Sequence, residues 1–302
     1  MKRKLLIAII FLALITIILE IYLRSYWGFC DTVLMQESSK FEYIAQPNQN
    51  RFRFRKHIRY NEYSMRSDSL RTTDKLRILG FGDSVINGGV LTDQDSIATS
   101  IVEKELINVN GGGYRCLNIS AGSWGPDNCF AYLQEYGNFN AGLIFLVVSS
   151  HDAYDNMDFE KVVDVSPSFP SRQNKSAIYE LLTRYLLPRV FKKKREEGDP
   201  IVKGSLFNPG FFSFYTYTQE KKIPFFIYLH PVKKEIQEGT YDKQGEQIIQ
   251  FCKEHNILLV KGIEYENIYG FRDDIHLNER GQRVLANILL PQITQLLAID
   301  KQ

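Results

Sequence analysis

From Leu76 to Leu297, five short, predominantly apolar runs alternate with segments of helical periodicity, and this alternation constrains the fold more than any other feature. The runs are Leu76–Phe81, Tyr114–Ile119, Leu143–Val148, Phe225–Leu229 and Ile257–Val260. Each has strand length and lacks polar alternation, so it reads as a strand buried on both faces. Ser96–Leu106, Asp127–Gly137, Phe211–Lys222, Lys243–His255 and Glu279–Leu297 read as helices between and after them. Buried strands separated by helices imply a parallel sheet covered on both sides, an α/β architecture. Ligands of such sheets bind at the carboxyl ends of the strands.

The first run ends in Gly80-Phe81-Gly82-Asp83-Ser84, within the stretch R-I-L-G-F-G-D-S-V-I-N-G-G from Arg77 to Gly89. A serine at a strand-to-helix corner is held out of the sheet near backbone N–H groups that favour negative charge, a suitable place for a nucleophile. Asp83 reads as a turn former whose carboxylate fixes the loop. Nucleotide readings fail here: Gly80-x-Gly82 lacks the third glycine of G-x-G-x-x-G, and no phosphate-cradling G-x-x-x-x-G-K-[ST] is present. A net charge of +2 over 302 residues gives no case for nucleic acid.

Residues 1–4, Met-Lys-Arg-Lys, precede an apolar stretch from Leu5 to Leu19 that Ile21 to Leu23 extend. The stretch, residues 5–23, is long enough to cross a bilayer. No small-x-small cleavage site follows it, and Phe29 before Cys30 does not suit a lipoprotein site. The expectation is an uncleaved single-pass anchor with Lys2, Arg3 and Lys4 cytoplasmic and the rest extracytoplasmic. Tyr22, Tyr26 and Trp27 fit an interfacial aromatic belt. Residues 24–75 read as a juxtamembrane region. In it Arg51-Phe-Arg-Phe-Arg55 alternates as a half-exposed edge strand would, and Tyr60 to Arg71 is a polar lead-in to the first core strand.

The four cysteines, Cys30, Cys116, Cys129 and Cys252, have no zinc-ligand spacing and read as buried or unpaired thiols. Residues 155–210 interrupt the strand–helix rhythm. With Pro167, Pro170 and Pro188, a helical stretch Ala177–Phe191 and the charged run Lys192–Glu197, they read as an insertion, a lid or substrate wall near the site.

Close to the C-terminus lies Asp273-Asp274-Ile275-His276, just before the last helix. An aspartate three residues before a histidine can accept the Nδ1 proton and leave Nε2 free to take a proton from a serine. Asp274 is the rival orienter, but one step along the loop its side chain points away. His230, in Tyr228-Leu-His230-Pro231 at another strand's end, reads as a hydrogen-bonded structural histidine.

With Gly82-Asp83-Ser84 at one end of the α/β domain and Asp273-x-x-His276 at the other, the sequence resembles the SGNH (GDSL-type) hydrolase superfamily over about Leu76 to Leu297. The resemblance implies a three-layer α/β/α sandwich with a flavodoxin-like parallel sheet over residues 76–300, here with an N-terminal transmembrane helix. It implies a catalytic Ser84, Asp273 and His276 acting on ester bonds without metal or organic cofactor. The family's second block places a glycine N–H in the oxyanion hole. In Asn118-Ile-Ser120-Ala-Gly122-Ser123, counting from Asn118 points to Ser123 and residue identity points to Gly122. The third block normally reads G-x-N-D. Here Ser149-Ser150-His151-Asp152 puts histidine in place of the asparagine, and a neutral imidazole can donate to an oxyanion as an amide does. The implied substrate is an acyl ester, with an O-acetylated envelope or extracellular polysaccharide as the expected class. The alternatives are a polysaccharide O-acyltransferase with the same triad and a non-catalytic scaffold binding glycan or protein.

Overall fold

The computed structural model describes residues 2–190 and 206–298. Helix α1, Lys2–Trp27, is long and apolar enough to cross a membrane. It ends in a reversal in which Gly28 N–H donates to Arg24 C=O (3.0 Å) and Phe29 N–H to Leu23 C=O (3.1 Å). Gly28 has φ +68° and a Cβ there would lie 1.9 Å from the Phe52 carbonyl oxygen, so only glycine fits.

Two hairpins follow. β1 (Met35–Ser38) pairs antiparallel with β2 (Glu42–Ala45), and β3 (Gln49–Arg53) with β4 (Lys56–Tyr60). Phe54 and Arg55, at φ +49° and +63°, form the two-residue turn of the second hairpin. Arg53 is therefore not part of a solvated edge. It is fully buried, with Nη2 2.5 Å from Glu180 Oε1 and its guanidinium over the Phe29 and Phe54 rings at 4.7 and 4.6 Å. Pairing and ring stacking make burial of that charge tolerable. The polar lead-in is likewise built into the domain: Met65 and Arg66 are fully buried, and Ile44 and Ile58 share one core with Leu79, Phe81 and Leu117.

The central sheet contains β5 (Leu76–Gly82), β6 (Tyr114–Ser120), β7 (Ala141–Ser149), β8 (Phe225–His230) and β9 (Leu258–Lys261). All neighbours are parallel in the order β6-β5-β7-β8-β9, the doubly wound flavodoxin-like order. Between and after the strands come α2 (Ser84–Asn87), α3 (Ala98–Asn110), α4 (Pro126–Tyr136), α5 (Ala177–Glu180), α6 (Leu187–Val190), α7 (Pro209–Lys221), α8 (Lys233–Glu238), α9 (Lys243–Glu254) and α10 (Glu279–Leu296). One face of the sheet packs Leu79, Phe81 and Leu146 against Leu133 of α4, Phe214 of α7 and Ile248 of α9. The other packs Ile78 and Phe145 against Val102 of α3 and Leu285 and Leu289 of α10. The result is the three-layer α/β/α sandwich that the predominantly apolar strands require.

The insertion differs from a single regular helix. Its α5 and α6 are joined by a π-helical stretch, Leu181–Leu186, and the charged run Lys192–Glu197 lies outside the described residues.

Candidate active site

The sheet order reverses between β5 and β7, and Ser84 stands at the carboxyl end of β5. β5 runs directly into α2 because Gly82 lets the chain pass close to β7: a Cβ there would lie 2.5 Å from the Val147 carbonyl oxygen. Asp83 then caps α2, its Oδ1 accepting from Val85 N–H at 2.8 Å. Arg66, fully buried, braces the loop beyond. Its guanidinium donates to the carbonyls of Asn87, Gly89 (2.6 Å) and Thr92 (2.6 Å).

His276 Nε2 lies 2.9 Å from Ser84 Oγ across 192 positions of sequence. Its Nδ1 lies 3.0 and 2.9 Å from the two carboxylate oxygens of Asp273. Asp273 Oδ1 also accepts from the N–H groups of Ile275 (3.1 Å) and His276 (2.8 Å), so the carboxylate shapes the loop as well as facing the ring. Partial burial raises the Asp273 pKa, but these hydrogen bonds and the imidazole outweigh it and leave the carboxyl below its ordinary value. Asp274 is exposed, and its carbonyl accepts from Lys233 N–H at 2.9 Å.

The loop carrying Asp273 and His276 rests on a buried polar cluster. His230, fully buried, has Nε2 2.8 Å from the Ile275 carbonyl oxygen and Nδ1 2.8 Å from Glu266 Oε1, and its ring stacks on Phe271. Tyr228 Oη–H donates to the same Glu266 oxygen. Burial pulls the His230 pKa down, but Glu266 and the Ile275 carbonyl pull harder, and the ring is held above its ordinary value. Glu266 carries no sequence signal; only the fold brings it under the loop.

Ser84 and His276 open into a cavity of about 290 Å³, lined also by Val33, Asn87, Gly122, Phe169 and Arg184. Gly122 lies on this wall and its carbonyl accepts from Tyr43 Oη at 2.8 Å. Ser123, at φ +60°, is not on the wall. Neither the Ser84 nor the Gly122 N–H donates to an acceptor among the described residues.

His151 stands beside a pair of buried carboxylates. Its Nε2 is 3.7 Å from Asp152 Oδ1, and donor atoms of Asp83, His151 and Asp152 lie within 4.8 Å of one another. Burial, reinforced by Asp152 and opposed by His151, pushes Asp83 up to about 6. Burial pushes Asp152 well above its ordinary value despite a 2.6 Å bond from Ser149 N–H. Two carboxylates and an imidazole are a donor set that a divalent cation accepts, and Asp152 Oδ1 has no hydrogen-bond partner among the described residues. The four cysteines are unpaired, three of them buried.

No family model matches the chain, and no curated protein matches it. Solved structures do. A lipolytic protein of the G-D-S-L family from Desulfitobacterium hafniense DCB-2 is 11% identical, over 72% of this chain and 99% of that one, with a TM-score of 0.42. The lipase/acylhydrolase from Enterococcus faecalis is 11% identical, over 75% and 98%, with a TM-score of 0.46. An acetyl xylan esterase from Geobacillus stearothermophilus is 15% identical, over 73% and 95%, with a TM-score of 0.39. These likenesses concern shape; the chemistry rests on the side chains.

Proposed function

We propose that this protein is a serine esterase acting on acyl esters. The observation that carries the reading is the unbroken chain of contacts from Asp273 through His276 to Ser84 Oγ, opening into a cavity. With Asp273 accepting the Nδ1 proton, Nε2 is the acceptor for the Ser84 hydroxyl proton. Ser84 Oγ attacks the ester carbonyl as that proton moves to His276, and Asp273 stabilises the imidazolium that forms. The developing oxyanion is received by the N–H groups of Ser84 and Gly122, with Ser123 the alternative backbone donor and His151 the third donor. His276 returns the proton to the leaving alkoxide. A water, deprotonated by the same ring, then releases the acid and Ser84.

The substrate class we assign is an acetylated or otherwise acylated carbohydrate of the envelope. It is supported by α1, which is long and apolar enough to cross a membrane; with Lys2, Arg3 and Lys4 kept on the cytoplasmic side, the domain would lie outside. The described part of the insertion would then contribute to the wall of the substrate cavity through Phe169 and Arg184.

Turnover of p-nitrophenyl acetate by the full chain in detergent, beside Ser84→Ala, tests the reading. A loss of at least ~10³ in kcat with unchanged melting is expected. Equal turnover in both proteins would refute it. Transfer of acetyl to added oligosaccharide faster than to water would make the acceptor a sugar and the protein a transferase.

A further inference from the structure

The insertion segment from Ala177 to Val190 has two unlike faces. Its inner face is fixed: Ala177 and Glu180 are fully buried, and Ile178, Leu181 and Tyr185 pack on Leu23 and Phe29 at the end of α1. Glu180 holds the rotation of the segment, because Oε1 takes the buried Arg53 guanidinium and Oε2 accepts from Cys30 N–H at 2.7 Å. The outer face carries Tyr179, Leu182, Leu186 and Val190 at helical spacing, with Leu187 beside them. These side chains are 60%, 43%, 41%, 75% and 45% exposed respectively. An apolar stripe of this kind on an outward helix face needs a partner.

The partner follows from where the segment begins. Glu20 of α1 caps it: its two carboxylate oxygens accept from Ala177 N–H (2.7 Å) and Ile178 N–H (3.0 Å), while Arg24 donates to the Lys175 carbonyl at 2.5 Å. The apolar run Leu5 to Leu23 spans roughly 28 Å at 1.5 Å per residue, close to the ~30 Å of a hydrocarbon core. Glu20 is three residues from the end of that run, so the segment starts at the level where hydrocarbon gives way to headgroups. The exposed aromatics Tyr22, Tyr26 and Trp27 follow Glu20 within about 10 Å along α1, as an interfacial belt would.

We propose that residues 177–190 form an interfacial membrane helix whose apolar stripe lies in the outer headgroup–acyl boundary beside α1. The inference rests on the reading of α1 as a membrane anchor. Its consequence concerns the cavity: Arg184, on this same segment, is part of the wall around Ser84, as is Val33 just beyond α1. The cavity wall therefore rests on the bilayer, which suits an ester presented at the membrane surface.

The test uses the full chain in phosphatidylcholine/phosphatidylglycerol nanodiscs, in a Cys30→Ser background in which the remaining thiols are buried. An environment-sensitive dye is placed at Leu186→Cys, at Leu182→Cys as a second stripe position, and at Ile10→Cys as the anchor control. Retained activity toward a soluble ester reports folding. The expected result is that lipids spin-labelled near the headgroup quench both stripe dyes at least twofold, while iodide does not. Stripe dyes open to iodide, with the Ile10 dye quenched by lipid, would overturn the interfacial helix and leave the anchor standing. Dyes open to iodide at all three positions would remove the anchor and the inference with it. Stripe dyes shielded from both quenchers would mean that protein covers the stripe, and would also overturn the inference.

Discussion

Asp273 has two separable tasks, and exchanging it for asparagine or alanine distinguishes them. Its Oδ1 takes two backbone N–H groups, and both oxygens face His276 Nδ1. In Asp273→Asn the amide oxygen stays on the backbone donors, which turns the NH2 group toward Nδ1. The ring then adopts the tautomer with the proton on Nε2, which cannot accept from Ser84. Restoring the right tautomer means flipping the amide and giving up those backbone bonds, about 2–3 kcal/mol together. Loss of the carboxylate opposite the imidazolium adds about 1–2 kcal/mol, discounted because the Asp273 side chain is 49% exposed. The sum corresponds to a fall in kcat of roughly 10²–10⁴. In Asp273→Ala, water enters the exposed position and accepts the Nδ1 proton, so only the charge term and some loop order are lost, about 10–10² in kcat. Asparagine should therefore be worse than alanine by about tenfold or more, in stopped-flow or steady-state turnover of an acetyl ester at fixed pH. If Asp273 merely shapes the loop, asparagine preserves most of that role and alanine is the worse variant. That order would refute the reasoning.

Asp83→Asn should stabilise the protein at neutral pH. The folded carboxyl is raised to about 6 from 3.8, so the folded state binds more protons than the unfolded chain between those values, and stability falls as pH rises through that window. The full loss is about 3 kcal/mol at ~1.4 kcal/mol per unit. Melting in EDTA should show the variant gaining on the parent between pH 4 and 7; a constant difference would refute it. His230→Leu removes the imidazole beside the buried Glu266 carboxylate and leaves it the Tyr228 hydroxyl alone among the described residues, which costs about 3–5 kcal/mol. Adding Glu266→Gln should recover much of that in melting while kcat stays low, because the Ile275 carbonyl has still lost its donor. His151→Ala should lower kcat by ~10²–10³ with little change in KM. An effect below threefold would leave the imidazole with its neighbouring carboxylates alone.

The sheet was legible because a parallel strand buried on both faces needs a predominantly apolar run. Each of the five runs became a strand, with ends moved by one or two residues. The pairing of Ser84 with Asp273-x-x-His276 came from the resemblance to the SGNH superfamily rather than from local pattern, and the fold puts His276 Nε2 2.9 Å from Ser84 Oγ. The hairpins were not. Ile58 is an isolated apolar residue between His57 and Arg59, and Tyr43-Ile44-Ala45 is too short a run to announce that it joins the main core. Arg53 read as solvated because its partner Glu180 lies 127 positions away, and Glu266 meets His230 only through the fold. Arg66, which braces the loop after Ser84, sits in a polar stretch that gives its burial no local cause. What escaped the sequence is long-range pairing of charges, for which local pattern carries no information.

The central claim is that Ser84 Oγ is a nucleophile activated by His276. The direct measurement is peptide mapping by mass spectrometry after treating the folded full chain with a fluorophosphonate, beside Ser84→Ala and His276→Ala. The account predicts one adduct, on the peptide containing Ser84, absent in the first variant and at least a hundredfold slower to form in the second, since ~10² or more is the usual contribution of a positioned base. Labelling that persists in Ser84→Ala, or no adduct at any serine of the folded protein, would contradict it.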